Sequence, residues 1–229
     1  MKLKTFEHLV HVGTLCPQDK GVRGASHEGA GLSVSEHPQA WVRIARLGGL
    51  PWWTLQRENN RFLDVHALSD AQRNALSQWA LEQGLLCHVQ AWQVSWFDDE
   101  LGQEVYSIFE TRAQAQIEAP DADDASDTEG TSPRIEAVLQ WQGTAELAQR
   151  ARRPHAKPFF EHAWDLAAVE YADFVGLDGV FWNDELAPEC YSAPRAVIVP
   201  RQVCQWRKAP LSGAPGLHKR PRQEACNYD

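Results

Sequence analysis

The side chains best suited to chemistry lie in two stretches near opposite ends of the chain. They are His11, Val12, Gly13, Ser33, Ser35 and Trp41 in the front stretch, and Asp184, Glu185 and Arg195 in the back stretch. A carboxylate can stabilise positive charge that develops in a transition state. An imidazole or a hydroxyl can hydrogen-bond a ligand, and a guanidinium offers a planar fork to a carboxylate or a phosphate. Such side chains could bind a ligand or take part in catalysis.

Each of these residues also has a purely structural interpretation. His11 in an apolar strand can be a core histidine bonded to a carbonyl. The pair Asp184 and Glu185 can be a turn that follows a buried strand. Arg195 can neutralise Glu185 or Glu189 across a sheet instead of binding a ligand. At the level of the residues, both interpretations stay open.

The front residues must be positioned by two strands and a helix. Residues 9–13 and 32–35 are short and apolar enough to predict strands. Because a strand alternates its faces, Ser33 and Ser35 share one face, which can line one cleft or be exposed to solvent. Residues 38–47 carry apolar side chains at helical spacing around Trp41, and two glycines then end the helix. We expect this helix to pack on the first strands.

The back residues follow a second predicted helix. Apolar positions from Trp164 to Val175 recur at helical spacing, and Gly176 ends that run before strands at 179–182 and 196–199. Asp184 and Glu185 come directly after the first of these strands, where a side chain would emerge at the mouth of a cleft. Glu189 lies further along the turn.

The middle of the chain predicts further strands and one well-specified helix. Ser69 and Gln72 form a capping box ahead of an amphipathic run that Gly84 closes. Residues 89–109 predict a hairpin, and residues 135–141 alternate like a half-buried strand. Strands thus occur in both halves, with helices between them. This order predicts an α+β fold with a mixed, mostly antiparallel, split β-sheet core and flanking helices.

The chain is interpreted as a single domain over residues 1–209. Residues 119–133 contain five acidic side chains and no basic one. This composition indicates an acidic disordered insertion. Residues 210–229 are rich in proline, glycine and mixed charge, which indicates a flexible tail.

Composition narrows the class of protein. The formal charge of -9 argues against a general nucleic-acid or membrane-surface binder. The five cysteines are scattered without close pairs, which favours reduced thiols and a cytoplasmic location. No stretch approaches the roughly 18 apolar residues of a membrane helix, so no membrane contact is expected. The nine histidines lack zinc-site spacing, and no metal site is predicted.

Two motifs stand in the front and back stretches. The front motif is Leu9-Val10-His11-Val12-Gly13-Thr14, with Gly31-Leu32-Ser33-Val34-Ser35 leading into the Trp41 helix. The back motif is Gly176-Leu177-Asp178-Gly179-Val180, followed by the acid pair and then the Arg195 strand. At these residues the sequence resembles the ADP-ribosyltransferase superfamily. The resemblance covers about the first fifty and last sixty residues, and it is strongest to small bacterial and phage-encoded members. It departs from that pattern by placing serines where many members have tyrosine.

The resemblance implies a co-substrate, a set of site residues and a reaction. NAD would be bound by His11, Val12, Gly13, Ser33, Ser35, Trp41 and Arg195. The catalytic residues would be Asp184, Glu185 and His11, with a carboxylate stabilising an oxocarbenium-like transition state. The implied activity is that of an NAD-dependent ADP-ribosyltransferase, a toxin or effector that modifies a protein or nucleic-acid acceptor.

Two other functions remain open beside this activity. One is a non-catalytic binding module on the same fold that uses the acidic insertion as its partner surface. The other is an enzyme similar to RNA 2'-phosphotransferases, which the net acidity disfavours because RNA requires a basic track.

Overall fold

The computed structural model describes residues 2–15, 28–98, 102–123, 133–153 and 157–211. The chain divides into two compact units. The first comprises Met1–Leu86 and Gly143–Asp229, and the second comprises Cys87–Gln142. Every residue proposed from the sequence for the site belongs to the first unit.

Eleven strands and five α-helices occur in the described residues. The strands are β1 (Leu3–Lys4), β2 (Leu9–Val12), β3 (Leu32–Val34), β4 (Trp52–Gln56), β5 (Phe62–Asp64), β6 (Leu86–Asp98), β7 (Gln103–Phe109), β8 (Arg134–Gly143), β9 (Gly179–Trp182), β10 (Arg195–Ile198) and β11 (Arg207–Pro210). The helices are α1 (Pro38–Ile44), α2 (Asp70–Glu82), α3 (Arg112–Asp123), α4 (Ala145–Arg150) and α5 (Ala163–Phe174). Two short 3₁₀ segments, Pro188–Cys190 and Pro200–Gln205, flank β10. The mixture confirms the predicted α+β class.

The first unit contains two sheets. The larger has the strand order β1-β5-β9-β10-β3, and the smaller has the order β11-β4-β2. Only the β5–β9 pair is parallel among the registered pairs of these sheets. An antiparallel bridge from Val10 to Ser35 joins β2 to the end of β3. The mostly antiparallel core predicted from the sequence is therefore confirmed.

The larger sheet buries both of its faces. One face, which includes Val180 and Val197, packs against α2 and α5 in a cluster with Leu76 and Ala168. The opposite face packs against the smaller sheet. That second cluster comprises Phe6, Leu9, Leu32, Val34, Leu55, Phe62, Phe181, Ala196, Ile198, Val203 and Trp206. Alternation along β10 explains this division, since successive side chains point to opposite faces.

Helix α2 begins as its sequence predicts. The Ser69 hydroxyl accepts the Gln72 backbone N–H at 3.4 Å, and the Gln72 side-chain carbonyl accepts the Ser69 N–H at 3.0 Å. This reciprocal pair satisfies two backbone donors that a helix start leaves open. Gly84 follows the helix with φ of 67°, a left-handed conformation that suits glycine.

The second unit is a three-stranded sheet, β7-β6-β8, with helix α3. Trp92, Val94 and Trp96 line one face of β6 and pack with Ala115 of α3, as the predicted hairpin face requires. Strand β8 also forms as predicted. Its Leu139 side chain, however, is 70% exposed, so its alternating apolar residues do not give one continuous buried face.

The predicted insertion and tail are described only in part. Helix α3 ends at Asp123, so the first residues of the segment 119–133 are helical, whereas residues 124–132 lie outside the described residues. In the segment 210–229, Pro210 closes β11 and the Leu211 N–H donates to the Trp52 carbonyl at 2.9 Å. Residues 212–229 lie outside the described part of the chain. None of the described helices is long and apolar enough to cross a membrane.

Candidate functional site

The front and back stretches meet at the side chain of Arg195. The centre of its guanidinium lies 6.0 Å from the ring centre of Trp41 on α1 and 5.2 Å from that of Trp182 on β9. Trp182 is the direct cross-strand neighbour of Arg195. A guanidinium near the centres of aromatic rings is attracted by their electron-rich faces. The planar cation is thereby held at the start of β10.

Asp184 lies beside this cation. Its carboxylate oxygen Oδ2 is 3.5 Å from Arg195 Nε, and Oδ1 is 3.7 Å from His66 Nε2. The side chains of Arg195 and Asp184 are 16% and 24% exposed, so the pair is mostly buried but remains in contact with solvent. The other candidate acids, Glu185 and Glu189, are exposed. Of the three acids, the structure brings Asp184 to the guanidinium.

A single backbone carbonyl ties the front stretch to the back stretch. The Pro194 carbonyl accepts the Ser35 hydroxyl at 2.8 Å and the Trp41 indole N–H at 3.0 Å. The Ser35 hydroxyl in turn accepts the His37 N–H at 2.9 Å, next to the start of α1. Ser35 therefore links the start of α1 to the backbone immediately before Arg195.

His11 is buried on β2 and faces two backbone carbonyls. Its Nδ1 lies 2.7 Å from the Ser33 carbonyl oxygen, and its Nε2 lies 2.8 Å from the Thr14 carbonyl oxygen. A neutral imidazole has one N–H and can donate to one of these oxygens, whereas an imidazolium can donate to both. The His11 ring thus lies between the backbone of β3 and the loop that follows β2.

The backbone that follows His11 is equally well tied. The Gly13 N–H donates to the Pro51 carbonyl at 2.8 Å, and the Gly13 carbonyl accepts the Trp53 indole N–H at 3.0 Å. Its φ of 135° is a conformation that glycine adopts readily. Val12, half-buried, pairs with Trp52 at the end of β2. The loop after β2 is thereby tied to Pro51 and to Trp53 of β4.

Ser33 has a partner different from that of Ser35. Its hydroxyl donates to a carboxylate oxygen of Glu28, in the turn that precedes β3. The turn packs tightly against the larger sheet at Gly31. A Cβ added at this position would come within 2.7 Å of the Ile198 carbonyl oxygen, so a larger residue would not fit without a shift. Ser33 therefore bonds Glu28, whereas Ser35, at the end of β3, bonds the Pro194 carbonyl.

Two residues beside the Arg195 cluster did not emerge from the sequence reasoning. Asp165 accepts the Trp182 indole N–H at 2.9 Å through Oδ1, and its Oδ2 lies 3.6 Å from His162 Nδ1. His162 occupies the N-cap position of α5 without a side-chain capping hydrogen bond, and Asp165 lies in the first turn of the helix. The spacing of histidine and aspartate three residues apart at a predicted helix start was the signal that could have found them, because such residues are neighbours on a helix.

Opposing effects act on the Asp165 carboxyl. Burial alone would raise its pKa, but the contact with His162, the hydrogen bond from Trp182 and the charge of Arg195 outweigh burial and lower the pKa. Asp165 is consequently a carboxylate near neutral pH. It supplies a fixed negative charge behind Trp182.

Within the described residues, no three His, Cys, Asp or Glu side chains are grouped so that they could hold a metal ion. Comparisons with protein-family models, with curated proteins and with solved structures find no match for this chain.

Proposed function

We propose that this chain is an NAD-dependent ADP-ribosyltransferase that transfers ADP-ribose to a protein or nucleic-acid acceptor. The observation that carries the proposal is the meeting of Trp41, Trp182, Asp184 and Arg195, which come from the two stretches that resemble the family. It combines a cation for a pyrophosphate, the half-buried ring of Trp41 for a base and a carboxylate for a ribosyl cation, while the buried Trp182 ring supports the guanidinium.

The architecture around this cluster supports the same proposal. Two mostly antiparallel sheets share one core, and the bridge from Val10 to Ser35 joins them beside the front motif. This arrangement agrees with the split sheet expected from the family resemblance. His11, Val12 and Gly13 lie at the end of β2, where they shape the backbone of the NAD site.

In the proposed reaction, Arg195 binds the NAD pyrophosphate through its planar fork. The pyrophosphate then competes with Asp184 for the guanidinium, which frees the carboxylate to face the ribose. The bond between ribose C1' and the nicotinamide nitrogen breaks, and its electron pair goes to the nicotinamide ring, which leaves as neutral nicotinamide. The acceptor's nucleophilic oxygen or nitrogen bonds to C1' and releases its proton to water. Asp184 stabilises the positive charge that develops on the ribose.

Replacing Asp184 by Asn tests this role. The amide keeps the shape of the side chain but removes the charge needed mainly in the transition state. We expect nicotinamide release, measured by mass spectrometry, to fall by about a hundred- to a thousand-fold. NAD affinity, measured as the rise of the melting temperature with NAD, should change far less. Asp70→Asn, on the exposed first turn of α2, is the matched control and should behave like the parent.

Two results would contradict the proposal. If Asp184→Asn, Glu185→Gln and Glu189→Gln all turn over NAD like the parent, the acid is not in the back stretch. If the parent neither binds NAD nor releases nicotinamide, the enzymatic assignment is wrong and the non-catalytic binding module takes its place. A saturating ligand would be easily seen, since it stabilises the fold by about 2.7 kcal/mol at a hundred times its Kd.

A further inference from the structure

His66 contacts the carboxylate oxygen of Asp184 that does not face Arg195. His66 Nε2 lies 3.7 Å from Asp184 Oδ1, whereas Arg195 Nε lies 3.5 Å from Oδ2. The side chain of His66 is 45% exposed, and that of Arg195 is mostly buried. The Asp184 carboxylate thus has a different cationic or polar partner at each of its two oxygens.

The parallel pairing of β5 with β9 brings His66 to Asp184. In this register Asp64 lies opposite Phe181, and the Val65 N–H donates to the Phe181 carbonyl at 3.0 Å. His66 comes two residues after the end of β5, and Asp184 comes two residues after the end of β9. Because parallel strands run in the same direction, the residues that follow them lie at the same edge of the sheet.

The turn that carries His66 is fixed by contacts on both sides of the histidine. The buried carboxylate of Asp64 accepts the Ala67 N–H at 3.2 Å. The guanidinium of Arg73, on α2, donates to the Val65 carbonyl at 2.8 Å. These contacts hold the backbone before and after His66, so its imidazole starts from a defined position.

We propose that His66 is a positioning residue that holds the Asp184 carboxylate toward the ribose once NAD has engaged Arg195. The inference rests on the proposed ADP-ribosyltransferase function. In that reaction the pyrophosphate takes the guanidinium, so Asp184 loses the partner of Oδ2 and keeps the partner of Oδ1. An N–H donor and an oxygen acceptor form a hydrogen bond at about 2.7–3.2 Å. A movement of roughly 0.5–1 Å therefore converts the 3.7 Å contact into a hydrogen bond.

This role explains how the carboxylate stays preorganised when its guanidinium partner is taken. A charge stabilises a transition state most when it is already fixed before the reaction. A hydrogen bond from Nε2 to Oδ1 leaves Oδ2 of Asp184 to face the ribose. His66 Nε2 donates as an imidazolium and also as the neutral tautomer that carries its proton there. The positioning role therefore requires no change in the protonation of His66.

His66→Ala tests this role in the full chain, with NAD as substrate and water as the acceptor. We expect kcat for nicotinamide release to fall by about ten- to a hundred-fold, because the catalytic carboxylate is no longer held in place. The rise of Tm with NAD should stay close to that of the parent, since Asp184 acts mainly in the transition state. His8→Ala, at an exposed position before β2, is the matched control and should keep the parent's kcat.

Two amide variants separate the position of the donor from the size of the side chain. Glutamine can place its amide nitrogen near the position of the imidazole Nε2, whereas the shorter asparagine places it near that of Nδ1. We expect His66→Gln to recover most of the kcat that His66→Ala loses, and His66→Asn to recover little of it. Equal kcat values for the two amide variants would overturn the positioning role.

A double variant gives an independent measurement. Residues that act as a unit have non-additive effects. In an Asp184→Asn background, His66→Ala should therefore lower kcat by less than about two-fold. An undiminished effect in that background, or a folded His66→Ala with the parent's kcat, would overturn the positioning role and leave the proposed function intact. A parent that releases no nicotinamide would overturn both, and this outcome is recognised before any variant is measured.

Discussion

At the scale of single residues, Asp178 shows how a motif residue can serve the fold. It is buried at the start of β9, where its carboxylate accepts a hydrogen bond from the Arg57 guanidinium and another, at 2.9 Å, from the Arg61 N–H. Arg57 also donates to the Gln202 side-chain carbonyl at 2.7 Å. Asp178 therefore joins three segments of the first unit and is not a simple turn residue.

Asp178→Ala is expected to lower the free energy of unfolding by about 3 kcal/mol, because it leaves the Arg57 charge half-buried without its carboxylate. Urea denaturation measures this loss. Replacing Arg57 and Asp178 together by leucine should cost less than Asp178→Ala alone, since neither charge then needs a partner. A double variant less stable than the single one would contradict this account.

At the scale of elements, α5 carries two carboxyl groups whose pKa values move opposite to that of Asp165. Burial raises the pKa of Glu170 despite the nearby Arg150, and burial also raises the pKa of Asp173. A raised pKa means that the folded chain binds the proton more tightly than the unfolded chain. The resulting stabilisation is complete below the unfolded pKa and is lost as the pH rises through the folded pKa.

Glu170→Gln should remove part of this pH dependence. In unfolding titrations between pH 4 and 7, we expect the stability of the variant relative to the parent to increase as the pH rises. The glutamine has no proton to lose, whereas the parent must ionise a buried carboxyl. Glu118→Gln, on an exposed position of α3, is the control. A difference between parent and Glu170→Gln that does not vary with pH would refute the assignment.

The elements that sequence reasoning found are those with strong local signals. The capping box of α2 and the glycines after α2 and α5 act within a few residues, and these helices are confirmed. Strands β4 and β5 were not predicted. Each is short, and Trp52 and Phe62 are buried only because distant strands pair with them or pack on them. Such pairing is not encoded in local periodicity.

The same distinction applies to the candidate site. The sequence indicated Trp41, Asp184 and Arg195 separately, and the pairing of β9 with β10 and the Pro194 contacts bring them together. The apolar spacing that predicts α5 does not indicate Asp165 or His162. Their importance depends on the distance to Trp182, which is set by tertiary packing.

At the scale of the whole molecule, the two compact units raise the question of how cooperatively the chain unfolds. The second unit spans Cys87–Gln142, which is shorter than the roughly 70 residues below which a single core rarely supplies more than a few kcal/mol. We therefore expect the region 1–209 to melt in one transition, as a single domain would. Differential scanning calorimetry tests this, with equal calorimetric and van't Hoff enthalpies as the expected result. Two resolved transitions would argue for independent domains.

The strand order of the larger sheet has a consequence for how the chain matures during synthesis. The hairpin of β9 and β10 lies between β5 and β3, which are made more than a hundred residues earlier. Until the ribosome has released the chain beyond Ile198, the inner edges of β3 and β5 have no partners from that hairpin. Exposed strand edges readily pair with other chains. During this part of synthesis the nascent protein is most prone to pair with other chains. The exposure of these edges ends when β10 enters the larger sheet.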